Sequence, residues 1–419
     1  MIRAYKFRIY PNQEQKELLD KTFGCCRFIY NKMLEERKRI YEQLKNNKKD
    51  LFNYKYKTEK QYKEEFEFLK EVDSKALQSE WRNLQSAYRN FFDGLKKGRM
   101  IGFPKFKSKK TKQSYTTFSI NNNCKIDFEN KKIKLPKIKS WINYRDDRTF
   151  IEEIKHITIS KNRSGKYYTS IVIERENNIS PKQELDDNKI IGFDMSAPKF
   201  LIAKEIEFIN PRFYRMEQKK LKRRHRDLSR KQWDSNNQTK SKLKLGKLYD
   251  KINNRKKDWI HKITHLLSEY FDCVILENLN IKGMQQFNSG LSKSVKLDFS
   301  WNQFINILRY KMEQKGKHLI LIDRFFPSSK MCSACGYINN QLKLKDRKWC
   351  CPVCHTEHER DINASINIRN KGSELLKENN IKIIEDNHGL TVGTTGFAFR
   401  ENLRLINQQF SRKKEATCL

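Results

Sequence analysis

The spacing of apolar residues predicts one strand and two clear helices in the first hundred residues. The run Ile2–Tyr10 is typical of a strand, and Pro11 ends it. Asn12 and Gln15 then form a capping-box pair, which predicts that a helix begins there. A second helix begins near Ser74, because apolar residues recur at helical spacing. These predicted core positions are Leu77, Trp81, Leu84, Tyr88 and Phe91.

Short apolar runs separated by turn residues predict five strands between residues 116 and 174. Their predicted bounds are 116–120, 124–128, 132–135, 154–160 and 167–174. We expect these strands to form a small β-barrel beside the helices, completed by the N-terminal strand.

The second half of the chain is organised around the stretch NKIIGFD, which spans residues 188–194. Its apolar run predicts a buried strand that ends at Asp194, and the runs at 200–203 and 206–209 predict an antiparallel meander. Further strands are expected at 273–276 and 319–322. A helical hairpin is expected from Pro211 with its turn at 234–237, and a helix from Ser300 to about Gln314. Residues 371–419 read as a polar, irregular tail that need not be ordered.

The charge of the chain points to a polyanionic partner. The 419 residues include 88 Lys and Arg against 50 Asp and Glu, a formal net charge of +38. A general bias towards charged residues would raise the acidic residues as well, so nucleic acid is the better explanation. The sequence contains no signal peptide and no apolar run of membrane-spanning length, and its ten cysteines suit a reducing compartment. We therefore expect a cytosolic protein.

Two lysine- and arginine-rich segments are candidates for phosphate contacts. One is a loop that includes Lys105 and Lys107, where basic residues alternate with aromatic ones. The other is 212–231, with ten Lys or Arg against Glu217 and Asp227. The loop could equally be a solvated surface. For 212–231 we favour phosphate contact, because one narrow apolar seam leaves most of the helix surface basic, and a solvated face is the alternative.

Four cysteines have the spacing of a zinc site. Cys332 and Cys335 form one CxxC pair, and Cys351 and Cys354 form a second after 15 intervening residues. Four thiolates leave tetrahedral Zn²⁺ no open position, so the predicted zinc is structural. The alternative is that these cysteines are simply buried or oxidised. Cys350 breaks the spacing and is excluded.

Three carboxylates on separate elements form a candidate catalytic site. Asp194 and Glu277 each end an apolar run, and Asp361 lies just before a predicted helix. Two bare carboxylates 4 Å apart repel each other by about 4 kcal/mol at an effective dielectric constant of 20, so such a cluster needs cations. Two Mg²⁺ ions would satisfy it, and would clamp the attacking water and the leaving oxygen of a phosphodiester. A single strand-end Asp would more often be merely solvated.

The order of these motifs resembles one known family. The segments GFD, LEN, the double CxxC and HERDINASINIRN follow one another as in the RuvC-type nuclease domain of TnpB proteins, which are transposon-encoded, RNA-guided DNA endonucleases similar to compact type V CRISPR effectors. The resemblance extends over most of the chain, through the stretches Arg8–Glu14, Ala87–Phe92, Gly102–Phe106, Asn210–Tyr214 and Phe326–Ser329. The chain departs from many relatives at MSAPKF, after Asp194, and at the Glu359 of HERD; neither change removes a carboxylate.

The resemblance implies an α+β multidomain fold. A β-barrel wedge domain would comprise 1–10 and 95–185, and a helical recognition domain would comprise 11–94. An RNase H-like (RuvC) nuclease domain would span 186–370, with a zinc ribbon inserted at 327–357. The segment 371–419 would be the tail.

The resemblance also implies a function. It predicts an RNA-guided, Mg²⁺-dependent endonuclease that cuts double-stranded DNA beside a short target-adjacent motif. Its cofactors would be two catalytic Mg²⁺ ions, one structural Zn²⁺ and a guide RNA, with a prokaryotic cytosolic location and a monomeric state. The alternatives are a nuclease-inactive RNA-guided repressor and a DDE-type transposase that acts without RNA. Residues in segments that in the family approach the target-adjacent duplex are Tyr54, Gln78, Asn121, Asn122 and Asn123, and Lys219, Lys220 and Arg223 represent the basic hairpin. Gln78 could equally be a plain helix-surface residue.

Overall fold

The computed structural model describes residues 2–110, 113–120, 123–176, 179–196, 199–204, 206–286, 298–343, 345–384 and 392–411. The chain divides into two compact units, Met1–Glu176 and Asn177–Leu419. Asn121 and Asn122 lie outside the described residues.

The first unit combines helices with one antiparallel sheet of seven strands. Its strands are β1 (Ile2–Tyr10), β2 (Gln113–Phe118), β3 (Lys125–Asp127), β4 (Lys132–Lys134), β5 (Ile142–Tyr144), β6 (Ile154–Lys161) and β7 (Tyr167–Glu174). Its helices are α1 (Gln13–Leu44), α2 (Lys48–Asn53), α3 (Glu59–Glu65) and α4 (Ser74–Lys96), with a 3₁₀ turn at Glu67–Glu71. The strand order is β2-β6-β7-β1-β5-β4-β3, so among the described residues β2 and β3 are the end strands and no closed barrel is seen.

One hydrophobic core joins this sheet to α1 and α4. Phe7 of β1, Ile29 of α1, Leu77 of α4 and Ile171 of β7 are all fully buried in it. The predicted capping box is present, because the Asn12 side chain accepts from the Gln15 amide and the Gln15 side chain accepts from the Asn12 amide, both at 2.9 Å. The helical and sheet segments of this unit are therefore packed around shared side chains.

The first unit departs from the sequence analysis at two further points. Trp81 is 42% exposed, although Leu77 and Leu84 on the same helix are buried. The buried face of α4 is thus narrower than the apolar face that the sequence predicted. The strand β5 was not predicted, because three residues are too few to show an alternating pattern.

The second unit is built around three parallel strands. Its strands are β8 (Glu184–Asp186), β9 (Ile190–Phe193), β10 (Lys199–Ala203), β11 (Ile206–Ile209), β12 (Cys273–Glu277), β13 (His318–Ile322), β14 (Lys348–Cys350), β15 (Glu357–Glu359) and β16 (Lys382–Ile384). Strand β12 lies between β13 and β9 and is parallel to both. A bridge between Asp194 and Ile202 joins β9 antiparallel to the β10–β11 hairpin. The resulting order is β11-β10-β9-β12-β13, with the meander that was predicted.

Helices cover both faces of this sheet. The helices of this unit are α5 (Phe213–Met216), α6 (Gln218–Ser229), α7 (Asn236–Tyr270), α8 (Ile281–Met284), α9 (Trp301–Glu313), α10 (Arg360–Glu378) and α11 (Val392–Ser411). Phe193, Val274 and Leu276 face a large core shared with α7 and α9, whereas Ile190 and Ile275 pack with Ile368 and Leu376 of α10. No helix among the described residues is long and apolar enough to cross a membrane.

The expected polar tail contains ordered structure. Phe399, Leu403 and Phe410 of α11 are buried in the large core, and β16 pairs in parallel with β8. The apolar residues of α11 recur at helical spacing, but Gly and Thr residues at its start mask the pattern. Strand β8, in turn, buries Leu185 in a segment for which no strand was predicted.

Helix α10 packs against the sheet through glycine. A Cβ on Gly192 would lie 2.5 Å from the Arg369 backbone nitrogen and 2.6 Å from the Ser365 carbonyl oxygen. A Cβ on Gly372 would lie 2.4 Å from the Ile275 side chain. At Gly192 the obstacle is backbone, so any larger residue must displace the helix itself.

We expect Gly192→Ala to destabilise the second unit by about 1–3 kcal/mol, because the added methyl group collides with the α10 backbone. Calorimetric unfolding should show this as a lowered midpoint. Gly102→Ala is the matched control, because nothing lies within 4 Å of its Cβ position. Equal midpoints for the two variants would contradict the close packing of α10 on β9.

Candidate functional site

Asp194 and Glu277 lie side by side at one edge of the parallel sheet. Phe193 is paired with Leu276 in the register of β9 and β12, so Asp194 and Glu277 occupy the next aligned position. Side chains two residues apart along a strand point to the same face. Asp194 therefore shares the face of Gly192, and Glu277 shares the face of Ile275, which is the face that α10 covers.

Helix α10 brings Asp361 to the same edge. Arg369 donates a hydrogen bond to the Ile190 carbonyl oxygen, so the later part of the helix lies at the start of β9. Ser365 contacts Gly192, so the helix runs antiparallel to the strand. From Ser365 back to Asp361 the helix advances about 6 Å. From Gly192 forward to Asp194 the strand advances about 6.6 Å in the same direction. These matching steps place Asp361 beside Asp194.

The proximity of the three carboxylates is visible in their electrostatics. Burial raises the pKa of Asp194 to about 8, and the charges of Glu277 and Asp361 contribute to the rise. Burial also raises the pKa of Glu277, against the opposing effect of a hydrogen bond that Ser328 Oγ donates to Glu277 Oε1 at 2.5 Å. The protein thus holds like charges together where bare carboxylates are unfavourable.

Basic side chains offset only part of this charge. Arg347 Nη1 donates to Asp361 Oδ1 at 3.2 Å, and the charge of Arg360 lowers the pKa of Asp194. Sequence reasoning missed Arg347, because nothing in the residues between the two CxxC pairs marks it. It also assigned no role to Ser328, although that residue lies in the FPSS stretch on which the resemblance partly rests.

The four predicted cysteines form a compact group. The sulfur atoms of Cys332, Cys335, Cys351 and Cys354 all lie within 4.8 Å of one another, and two of the pairs are 3.6 Å apart. A tetrahedral zinc about 2.3 Å from each sulfur would set the sulfurs about 3.8 Å apart. The cysteines therefore fit a zinc ion. Among the described residues, only this group places three or more metal-ligating atoms so tightly, and the exposed Cys350 lies outside it.

Each CxxC pair ends in the same turn. Gly336 and His355 have φ angles of 77° and 57°, and their amides donate to the carbonyl oxygens of Cys332 and Cys351, both at 2.9 Å. The left-handed conformation closes each turn and brings its two thiols together. A further residue of the cluster is His358, whose Nε2 lies 3.0 Å from Cys332 Sγ. Burial lowers the pKa of His358.

Two buried asparagines connect the cysteine cluster to α10. Asn363 accepts from the Ser333 amide at 2.9 Å and donates to the Met331 carbonyl oxygen at 2.7 Å. Asn367 donates to the carbonyl oxygens of Ser328 and Met331. The first CxxC pair, the Ser328 that orients Glu277 and the helix that carries Asp361 are therefore linked in one hydrogen-bond network.

Three predicted nucleic-acid contacts in the first unit already have partners within the chain. Tyr54 donates to Glu36 at 3.4 Å, and Gln78 donates to Glu59 at 2.8 Å. Asn123 accepts from the Ile120 amide at 3.1 Å. A role for these side chains on nucleic acid stays a prediction, and for Tyr54 and Gln78 it would require exchange of these partners.

The predicted basic contacts differ in exposure. Lys105 is exposed, whereas Lys107 forms an ion pair with the buried Glu80, and its ammonium lies 4.2 Å from the centre of the Tyr30 ring. Lys107 therefore anchors its loop to the helices. On α6, Lys219, Lys220 and Arg223 are all exposed, with Lys220 at 3.6 Å from Glu217. A phosphate-binding role for these five residues stays a prediction.

Comparison with known proteins adds three family matches. Models described as a helix-turn-helix domain, a probable transposase and a Cas12f1-like TNB domain match residues 1–48, 170–288 and 301–368. A putative RNA-guided DNA endonuclease of Streptomyces pristinaespiralis is 32% identical over 87% of this chain and 88% of its own length. The chain belongs to the TnpB family. Another relative, the putative RNA-guided DNA endonuclease InsQ of Escherichia coli, is 28% identical over 90% of this chain and 93% of its own length.

Comparison with solved structures supports the predicted fold class. The protein in a Cas12f1–sgRNA–target DNA complex matches with a TM-score of 0.52 and 14% identity, covering 89% of this chain and 99% of that one. This likeness confirms the mixed α+β architecture. The model that matches residues 1–48 is described as a helix-turn-helix domain. In this structure the segment contains β1 and one 32-residue helix up to Leu44, not two short helices joined by a turn.

We expect about one zinc per chain, and we expect Cys351→Ser to lose it, because a zinc held by four thiolates cannot tolerate the loss of one. Through Asn363 the loss should also loosen the start of α10, seen as faster amide hydrogen exchange there. Cys350→Ser is the matched control, since it changes the adjacent exposed thiol. Metal analysis that finds no zinc in the intact protein, or equal zinc loss in both variants, would contradict the site.

Proposed function

We propose that this TnpB-family protein is an RNA-guided, Mg²⁺-dependent endonuclease that cuts double-stranded DNA beside a short target-adjacent motif. The observation that carries the proposal is the convergence of Asp194, Glu277 and Asp361 at one sheet edge. One such site would serve both DNA strands in succession. The printed names of the relatives, which are putative RNA-guided DNA endonucleases, support the same reaction.

The fold supports an RNase H-like nuclease core in the second unit. Three parallel strands extended by an antiparallel hairpin place two carboxylates on neighbouring strand ends, and a helix supplies the third. The cysteine cluster would form the inserted zinc ribbon. We assign the wedge and recognition roles to the sheet and the helices of the first unit.

The carboxylate site fits hard divalent cations. Its oxygen atoms are the ligands that Mg²⁺ prefers. Burial and the neighbouring carboxylates raise the pKa of Asp194, so a cation bound there would stabilise its charged form. When bound there, Mg²⁺ would supply charge neutralisation and Lewis-acid activation for phosphodiester hydrolysis. Asp194, Glu277 and Asp361 would hold it.

The surrounding residues would keep these ligands in position. The hydroxyl of Ser328 fixes one oxygen of Glu277, which leaves the other oxygen free to face a cation. Arg347 holds Asp361 and is itself 65% exposed, so it can reach an incoming phosphate without leaving the site. The Asn363 and Asn367 bonds keep this edge rigid.

Guide RNA and target DNA would be bound largely through basic surfaces. The chain carries a net charge of +38, and α6 presents six Lys or Arg within twelve residues. In guided recognition the sequence is read by base pairing, so the protein needs mainly backbone contacts. The exposed residues of α6 suit that task.

Asp194→Ala should abolish guide-directed cleavage of both strands while leaving guide and target affinity intact, because affinity comes from distant basic surfaces and base pairing. Asp361→Asn should behave in the same way, since the amide keeps the shape and loses the charge. The measurement is a programmed cleavage assay with separately labelled strands, with Mg²⁺ and then with EDTA.

The control for this experiment is Glu313→Gln, which alters an exposed carboxylate on α9 away from the sheet edge. It should cut both strands at the normal rate. If Asp194→Ala still cuts either strand at the site the guide specifies, the single-site mechanism is wrong.

Replacing Lys219, Lys220 and Arg223 with Gln should weaken nucleic-acid binding and flatten its salt dependence. Each phosphate contact contributes about 0.7–0.9 to the slope of log K against log salt, so loss of three contacts should lower the slope by about 2 to 3. Target choice should not change. An unaltered slope would identify this face of α6 as solvated surface.

A further inference from the structure

The tip of the basic hairpin presents a large aromatic side chain to solvent. Helix α6 ends at Ser229 and α7 begins at Asn236, so six residues form the turn between them. Trp233 lies in this turn and is 70% exposed. Single exposed apolar residues are common, but tryptophan is highly buried on average, and an exposed indole ring offers a face on which a base can stack.

The turn that holds Trp233 is well ordered by hydrogen bonds. Asp234 adopts a left-handed conformation with φ of 59°, and Ser235 caps α7 by accepting from the Gln238 amide at 3.1 Å. The buried Gln238 side chain accepts from the Asp234 amide at 3.2 Å and from Lys242 Nζ at 2.6 Å. The backbone on the C-terminal side of Trp233 is therefore held in place. Binding of a partner to the ring would cost little backbone conformational entropy.

A cation lies against the ring, within a strongly basic hairpin. The Lys242 ammonium lies 5.4 Å from the centre of the Trp233 ring, a cation–π arrangement. Between residues 212 and 251 the chain has 15 Lys or Arg and four Asp or Glu. The basic residues within nine positions of Trp233 in sequence are Arg224, Arg226, Arg230, Lys231, Lys240 and Lys242.

This combination favours a nucleic acid over a protein partner. A protein pocket for an exposed tryptophan would have to accept a densely cationic rim, whereas a nucleic acid supplies phosphates to the cations and base faces to the indole. Stacking on a base is independent of sequence. Bases inside a duplex expose no face, so the ring can stack only on unpaired or terminal bases.

We propose that the hairpin tip is a single-strand binding element, in which Trp233 stacks on an unpaired base while the flanking lysines and arginines hold the neighbouring phosphates. The base can belong to an unpaired part of RNA or to a displaced DNA strand, because both present the same π face. This single-strand binding role adds to the proposed function. It depends on that function only because both assume that the ligand is a nucleic acid.

The test compares Trp233→Ala, Trp233→Phe and wild type, each as the full-length protein free of nucleic acid. The probes are a labelled 12-nucleotide RNA without self-complementarity, the DNA of the same sequence, and the matching duplexes with their ends closed by non-nucleotide linkers, so that the duplexes contain no unpaired base. Trp233→Ala should weaken single-strand binding about 5- to 100-fold. Trp233→Phe should recover most of the affinity, since a phenyl ring still stacks. If the loss of affinity is larger for RNA than for DNA, the hairpin tip binds RNA; the reverse result assigns it to single-stranded DNA.

Duplex affinity should change less than twofold in Trp233→Ala, because the cations remain. Trp141→Ala, at a tryptophan of the first unit that is 41% exposed, is the matched control and should leave all affinities unchanged. Equal weakening on single strands and duplexes, or none on either, would overturn the proposal. The fluorescence of Trp233 is obtained as the wild-type signal minus that of Trp233→Phe. The proposal would also be overturned if acrylamide quenched this fluorescence as strongly with single-stranded RNA or single-stranded DNA bound as with neither. Because no cleavage is measured, an inactive carboxylate site would not affect these outcomes.

Discussion

The second unit depends on the close contact between α10 and the central strand β9. Three carboxylates repel one another, and burial makes the charges of Asp194 and Glu277 still less favourable, as the raised pKa of each shows. Their convergence must therefore be imposed by packing elsewhere. Gly192 permits this packing, because its missing side chain lets the Ser365 and Arg369 backbone rest on the strand. Ile275, Ile368 and Leu376 then supply the apolar contacts that hold the helix there.

The cysteine cluster extends this constraint. Asn363 and Asn367 project from α10 and bond to the backbone around Ser328, Met331 and Ser333. Ser328 in turn bonds to Glu277. A structural zinc, which takes no part in the chemistry, would thus secure two elements of the carboxylate site. This linkage would give the cysteine cluster a physical reason to lie a few residues before Asp361.

Much of the site could be predicted from sequence, for identifiable reasons. Asp194 and Glu277 follow apolar runs, and parallel strands bring such ends to one edge. The double CxxC spacing located the cysteine cluster. Other features left no local signal. Strands β5, β8 and β16 have three residues each, and helix α11 begins among Gly and Thr residues. Arg347 and His358 acquire their roles only through tertiary contacts with Asp361 and Cys332. Lys107, singled out for phosphate, is held by Glu80, which sequence could not indicate.

Asp194, Glu277 and Asp361 are proposed to form one site for a pair of divalent cations. Mn²⁺ can replace Mg²⁺ at oxygen ligands and is visible by electron paramagnetic resonance. Mn²⁺ titrated into the protein with guide RNA and a phosphorothioate target should give a spin-coupled pair, about two ions per chain, and this signal should be absent in Asp361→Asn. Uncoupled Mn²⁺ alone, or the same coupled signal in both proteins, would contradict the account.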